Sequence, residues 1–254
     1  MELIIGNIYS SNNCGDFLLK NIYKVEGENF YRCSIKFLKT GYESSVRKAD
    51  VKRGSVRDPY YPLVFGIGYI GEGKYSQTLT RKVYNCWNGM LDRCYNTKFS
   101  KSKKNYKDNN ITVCKNWHCF QNFGIWYEEH YKENFSLDKD IIYNVQHMTN
   151  KIYSPETCIM IPKELNEFLA DDCVDRNVRL TKNKRFSSQI QSYCLNNKQI
   201  YLGTYDTFKE AKNAYAKEKY KIWISLVEKY RNILDDEIYN ILLKYDFSWY
   251  WKLE

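Results

Sequence analysis

Hydrophobic and polar positions change rhythm three times along this chain. Between Phe17 and Val51 the residues alternate or carry strand-forming side chains in three runs, Phe17–Val25, Phe30–Leu38 and Tyr42–Val51. Gly27-Glu28-Asn29 and Lys39-Thr40-Gly41 supply turn material between them. After Gly54 the pattern turns irregular, with Pro59, Pro62, Gly66, Gly68, Gly71 and Gly73. The expectation is a small β domain over 1–75. Three strands make a marginal core, so it needs a neighbour to pack against.

From Arg81 the period lengthens. Val83, Trp87, Met90, Leu91 and Cys94 recur at helical spacing and predict an amphipathic helix over 81–95. A second helix fits 116–131, with Asn116 as its cap and Phe120, Phe123 and Tyr127 as its stripe. FSLDKDIIY reads as a strand, NVQHMTN as a polar loop and KIYSPETCIMIP as a second strand. PKELNEFLA follows as a helix with Pro162 in its first turn.

The last segment shortens the period again. Strands are expected at 177–181, 185–193 and 199–204, with Asn183-Lys184 and Asn196-Asn197 at the turns. Thr207 and Glu210 have capping-box spacing, and the helix they open carries Phe208, Ala211, Tyr215, Ile222 and Leu226 on one stripe. A final helix fits 235–245. The fold class is α+β, divided as 1–75, 76–172 and 173–254.

Charge adds a partner class. The chain has 254 residues with 39 Lys or Arg against 30 Asp or Glu, a net charge of +9. Such an excess favours polyanions, because cations that meet phosphates release condensed counterions. Nine scattered cysteines, without a signal-peptide pattern or a long apolar run, predict free thiols in a reducing, cytosolic setting and no membrane partner.

The strand alternation sorts the C-terminal side chains. Val178, Leu180, Phe186, Ile190, Ile200 and Leu202 share the parity expected to face the helix. Arg179, Thr181, Arg185, Ser187, Gln189, Gln191 and Tyr201 share the other. That outer set suits base edges and phosphates, and equally suits a solvated sheet face. The run NVRLTKNKRFSSQIQ, with the Leu-Gly-Thr-Tyr-Asp-Thr stretch and the Glu-Ala-x-x-Ala-Tyr helix, resembles an AP2 domain. The resemblance implies a three-stranded antiparallel sheet plus helix that reads double-stranded DNA through the sheet. It implies contacts from Arg179, Arg185, Gln189 and Gln191, and the basic neighbours Arg176 and Lys198 are further DNA-binding candidates. Val178-Arg179 stands where the family begins with a Gly-Val pair, which leaves the register of the first strand open.

The middle segment has a resemblance of its own. RCYN (93–96), ITVCKNW (111–117), LDKDI (137–141), YSPETC (153–158) and Asn166 are similar to phage-borne HNH-type proteins, which commonly join such a ββα segment to an AP2 module. Homing-type endonuclease activity with Mg²⁺ or another divalent metal is what this implies. The chemistry departs from the motif. Lys139 stands where the general-base His would fall, and Thr157 stands at the middle Asn. His147 could replace the base, with Asp138 and Asp140 beside it. Asp138 and Asn166 could hold the metal. The alternative keeps the scaffold without cleavage, either as a plain DNA-binding protein or as a phage inhibitor occupying a host defence nucleoprotein. Cys94, Cys114, His118 and Cys119 lack a Cys-x-x-Cys pair and read as buried thiols beside an exposed His rather than a zinc site. GIGYIGEG lacks the features of a phosphate-cradling loop. The lysine-rich run Lys98–Lys107 is open between a solvated loop and a backbone contact.

Overall fold

Four strands open the chain, one more than the alternation predicted. In the computed structural model, which describes residues 2–96, 110–170, 177–191 and 198–248, they are β1 (Ile8–Ser11), β2 (Gly15–Lys24), β3 (Tyr31–Phe37) and β4 (Glu43–Arg47). They pair in sequence order as an antiparallel sheet. The third predicted run ends early, because Lys48–Arg53 turns into a short helix, α1, closed by Gly54 in the left-handed region. The inward positions Phe17, Leu19, Cys33, Ile35 and Phe37 join Val51 and Val56 in one buried cluster.

The chain divides into two compact units, Met1–Asp108 with Thr112–Tyr127 and Asn109–Ile111 with Glu128–Glu254. The first unit continues with α2 (Arg81–Tyr95), β5 (Thr112–Val113), a 3₁₀ turn at Lys115–His118 and the start of α3 (Phe120–His130). The predicted helix over 116–131 is therefore split, and Asn116 lies inside the turn rather than at a cap. Trp87, Met90, Leu91, Trp117, Phe120 and Phe123 are fully buried here. The Trp87 indole donates to the Trp117 carbonyl at 2.7 Å, which satisfies its one donor.

The glycine-rich stretch serves packing in this unit. A Cβ on Gly68 would sit 2.5 Å from a Leu91 methyl, and one on Gly73 would strike the Gln121 side chain. Gln121 is buried. It donates to the Ile70 and Tyr75 carbonyls at 3.1 and 2.9 Å and accepts from the Tyr75 N–H at 3.0 Å.

The second unit holds β6 (Phe135–Asp138), α4 (Asp140–Val145), β7 (Ile152–Tyr153), β8 (Ile159–Pro162) and α5 (Lys163–Ala170). β6 pairs antiparallel with β8 from Phe135↔Pro162 to Asp138↔Ile159. The strand expected through FSLDKDIIY stops at Asp138, and Pro162 ends β8 rather than opening α5.

The same unit carries β9 (Val178–Leu180), β10 (Phe186–Gln191), β11 (Gln199–Tyr205), α6 (Phe208–Lys229) and α7 (Asp236–Leu243). Thr207 and Glu210 form both hydrogen bonds of the predicted capping box. The α6 stripe differs in part from its prediction: Ala211, Tyr215, Ala216, Lys219, Trp223 and Val227 are buried, whereas Phe208 is exposed. Trp223 and Val227 share a core with Ile141, Ile161, Leu165, Phe168 and Leu242. Asn144, wholly buried, exchanges two 2.8 Å hydrogen bonds with the backbone of Asp246 and so fastens the C-terminal segment to α4.

Candidate functional site

The C-terminal sheet has the order β11-β10-β9, all antiparallel. Ser188 and Ile190 of β10 are buried, so Ser187, Gln189 and Gln191 point to the other side. Cross-strand partners share a face. Arg179 and Thr204 lie opposite Ser187, Tyr201 lies opposite Gln189, and Gln199 lies opposite Gln191. Val178, Ile190, Ala211 and Tyr215 form the buried cluster on the α6 side, with Phe186, Ile200 and Leu202 packed against it. The predicted division of the two faces therefore holds for most positions.

It fails at Leu180 and needs two additions. Leu180 is 65% exposed despite its inward parity, because it ends a three-residue edge strand. The register shifts between Ser188 and Gln189, where Ser188 faces Gly203 but Gln189 faces Tyr201. Leu202 is the extra residue of this bulge, and Gly203 beside it has φ +130°. Simple alternation would have turned Thr204 inward with Ile200 and Leu202. The bulge turns it outward with Tyr201 and Ser187. Thr204 is thus an outer-face residue that pattern reading missed, and its only signal was a glycine inside a strand. Gln199 precedes the bulge and joins the outer set by plain alternation with Tyr201.

Arg179, Arg185, Gln191, Lys198, Gln199 and Tyr201 are exposed and Gln189 half-buried. Arg185 is steered by its surroundings: its Nε meets Asp206 at 2.8 Å and its terminal N–H donates to the Thr204 carbonyl at 3.3 Å. Gln199 donates to Gln189 at 2.5 Å, and Tyr201 and Thr204 share a hydrogen bond of the same length. These contacts hold the polar tips in place across the sheet, which lowers the entropy lost when a ligand orders them. Arg176 lies outside the described residues, as does the run Lys98–Lys107.

The carboxylates of the middle segment are committed to other tasks. Asp138 is buried, and its Oδ1 accepts from the backbone N–H groups of Asp140 and Ile141 at 2.8 Å each. It thereby caps the first turn of α4. Burial, followed by the nearby charge of Asp140, raises its pKa above the usual carboxylate range, against the pull of those two N–H groups and Lys139. Asp140 meets Lys139 at 2.6 Å and Lys151 at 2.7 Å. Burial pushes its carboxyl up, but the two ammonium groups outweigh that and hold it below its ordinary value. Lys139, at the position of the expected base, is itself buried, with its ammonium in this ion pair and 5.5 Å from the Tyr153 ring centre.

Asn166 does lie against β6, donating to the Ser136 hydroxyl at 2.9 Å and the Leu137 carbonyl at 3.4 Å. His147 is exposed beyond α4, with φ +53° and its N–H donating to the Asn144 carbonyl at 3.2 Å. Thr157 is buried and donates to the Ile152 carbonyl at 2.5 Å, a turn-forming task.

The described cysteines, Cys14, Cys33, Cys86, Cys94, Cys114, Cys119 and Cys158, are all free thiols. His118 is half-buried, with its Nε2 3.1 Å from the Val113 carbonyl. No cluster of three or more His, Cys, Asp or Glu suited to a metal occurs among the described residues. No described helix is long and apolar enough to cross a membrane. No family model, curated protein or solved structure matches this chain.

Proposed function

We propose that the chain binds double-stranded DNA through the outer face of its C-terminal sheet. One observation carries this reading. The side of the sheet away from α6 presents Arg179, Arg185, Gln189, Gln191, Gln199 and Tyr201 together, and Arg185, Gln189, Gln199 and Tyr201 are ordered by hydrogen bonds within it. Arginine suits guanine edges, glutamine suits adenine, and the hydroxyls of Ser187, Tyr201 and Thr204 suit phosphate oxygens. A strand surface can enter the major groove, which is wide enough for a two-stranded ribbon.

Binding without cleavage is the version favoured by the geometry around Asp138. A nuclease centre needs carboxylates whose lone pairs face an open metal position. Asp138 instead accepts two backbone N–H groups and Asp140 bridges two lysines.

Fluorescence anisotropy with a labelled duplex pool tests the face. The double variant Arg179→Ala, Gln191→Ala should weaken binding by roughly 1–3 kcal/mol for each base-edge interaction it removes. Unchanged affinity would remove the sheet from the reading. A supercoiled plasmid incubated with Mg²⁺ or Mn²⁺ tests the second point. Nicking by the wild type that disappears in His147→Ala would establish cleavage and overturn the binding-only version.

A further inference from the structure

The first unit contains a cavity of about 700 Å³, within the size range of small-ligand sites. Its floor and walls come from three stretches: the β1–β2 turn, the segment that leaves α1 at Gly54, and the irregular chain from Pro59 to Thr78. Tyr61 and Tyr69 supply aromatic surface to the wall. Asn13 and Gln77 bring amide groups, and Arg57 brings a guanidinium.

The charge of this cavity is unbalanced. Arg57 is exposed and makes no ion pair or hydrogen bond among the described residues. Lys39, which is not a lining residue, holds its ammonium 4.6 Å from the centre of the Tyr61 ring. One lining acid opposes Arg57, namely Asp58, and it is turned into the protein. Its carboxylate accepts from the Thr40 hydroxyl at 2.5 Å and the Tyr60 N–H at 2.8 Å. The cavity thus joins an apolar, partly aromatic wall to amides and an uncompensated arginine.

That combination fits a flat heterocycle bearing an anion. Aromatic rings stack on a base of any sequence, amides meet its polar edge, and an arginine pairs with phosphate. We infer that the N-terminal cavity binds a single nucleotide, its base against Tyr61 and its phosphate at Arg57. The site is separate from the C-terminal sheet and assigns a task to a unit whose sequence offered none. The same chemistry has two sources: a free nucleoside monophosphate, or an unpaired nucleotide within a strand.

The test is calorimetric titration of the full chain with each deoxynucleoside monophosphate and with a short thymidylate single strand. Binding of either probe, weakened at least about tenfold in Arg57→Glu, is the expected result, since one charge-assisted contact is reversed. Binding of the monophosphate identifies a free nucleotide as sufficient; binding of the strand alone identifies an unpaired nucleotide in DNA. If neither probe binds at millimolar concentration, the inference is overturned, as it is if Arg57→Glu binds as tightly as wild type. Arg57→Gln removes the charge without reversing it, and it tests the same pairing should the glutamate variant fold poorly. The sheet variant Arg179→Ala, Gln191→Ala should leave the monophosphate titration unchanged, and Arg57→Glu should leave duplex affinity unchanged. The two sites therefore stand or fall separately.

Discussion

Asp138 shows how one carboxylate can resemble a catalytic group and yet be structural. It is buried at the end of β6 and accepts the first two N–H groups of α4. Asp138→Ala leaves both donors unsatisfied and should lower unfolding free energy in urea by ~1–3 kcal/mol. Asp138→Asn keeps an acceptor oxygen and should cost much less. A metal-binding role would predict little difference in metal-free stability between the two. His118 gives a second residue-scale outcome. Burial lowers its pKa below the ordinary imidazole value; the Val113 carbonyl works against that and Lys115 adds to it. A depressed folded pKa means that the neutral ring is favoured by folding. Its contribution is complete above the unfolded pKa and is lost as pH falls through the folded value. Melting temperatures across pH 7.5 to 4.5, a window set about the imidazole range, should therefore show a steeper acid-side fall for wild type than for His118→Gln. Parallel curves would refute this.

Among the elements, the β11 bulge decides which side chains can meet a ligand. Gly203 occupies a backbone region that other residues adopt at a cost of about 1–3 kcal/mol. An added Cβ would also lie 3.1 Å from the Tyr205 hydroxyl. Gly203→Ala should lower the melting temperature and weaken duplex binding together, because Tyr201 and Thr204 lose their common orientation. Stability loss with unaltered affinity would show that the β11 residues take no part in binding. The pattern of β10 was legible because it keeps one period against one core, and the Thr207–Glu210 box is a strictly local signal. The α6 stripe was legible only in part, because the helix packs first on the sheet and then on a second core. β1, α1 and α4 were not legible. Ile8–Ser11 is too short to alternate, and Lys48–Arg53 and Asp140–Val145 are each too short for a helical stripe. Their positions are fixed by distant partners instead, such as the Asn12 and Arg53 pair for α1 and the Asn144 and Asp246 pair for α4. The face residue Thr204 was hidden for a similar reason, since a bulge is set by pairing across strands and leaves only a glycine as its mark in the sequence.

For the whole molecule, a net charge of +9 over two units makes salt the most direct probe of the partner. If Arg179, Arg185 and Lys198 each neutralise one phosphate, log affinity for duplex should fall against log salt with a slope of about −3. Asp206, paired with Arg185, should shallow that slope, and Asp206→Asn should raise affinity most at low salt. A slope near zero would indicate that the basic excess serves something other than a polyanion. The function proposed for the second unit was visible in the sequence as a face of residue types. The cavity of the first unit was not, because its lining is gathered from three irregular stretches between Asn12 and Thr78 that share no period.

Gln121 links that cavity to a helix that contributes nothing to its wall. Through one amide it fixes the Ile70 carbonyl and both backbone polar groups of Tyr75, and Ile70 and Tyr75 are wall residues. Two of these three bonds require an N–H donor that a carboxylate lacks. A deamidation-like change, Gln121→Glu, would therefore slacken the wall from behind, and an observer titrating a ligand would see a binding defect caused by a side chain the ligand never meets.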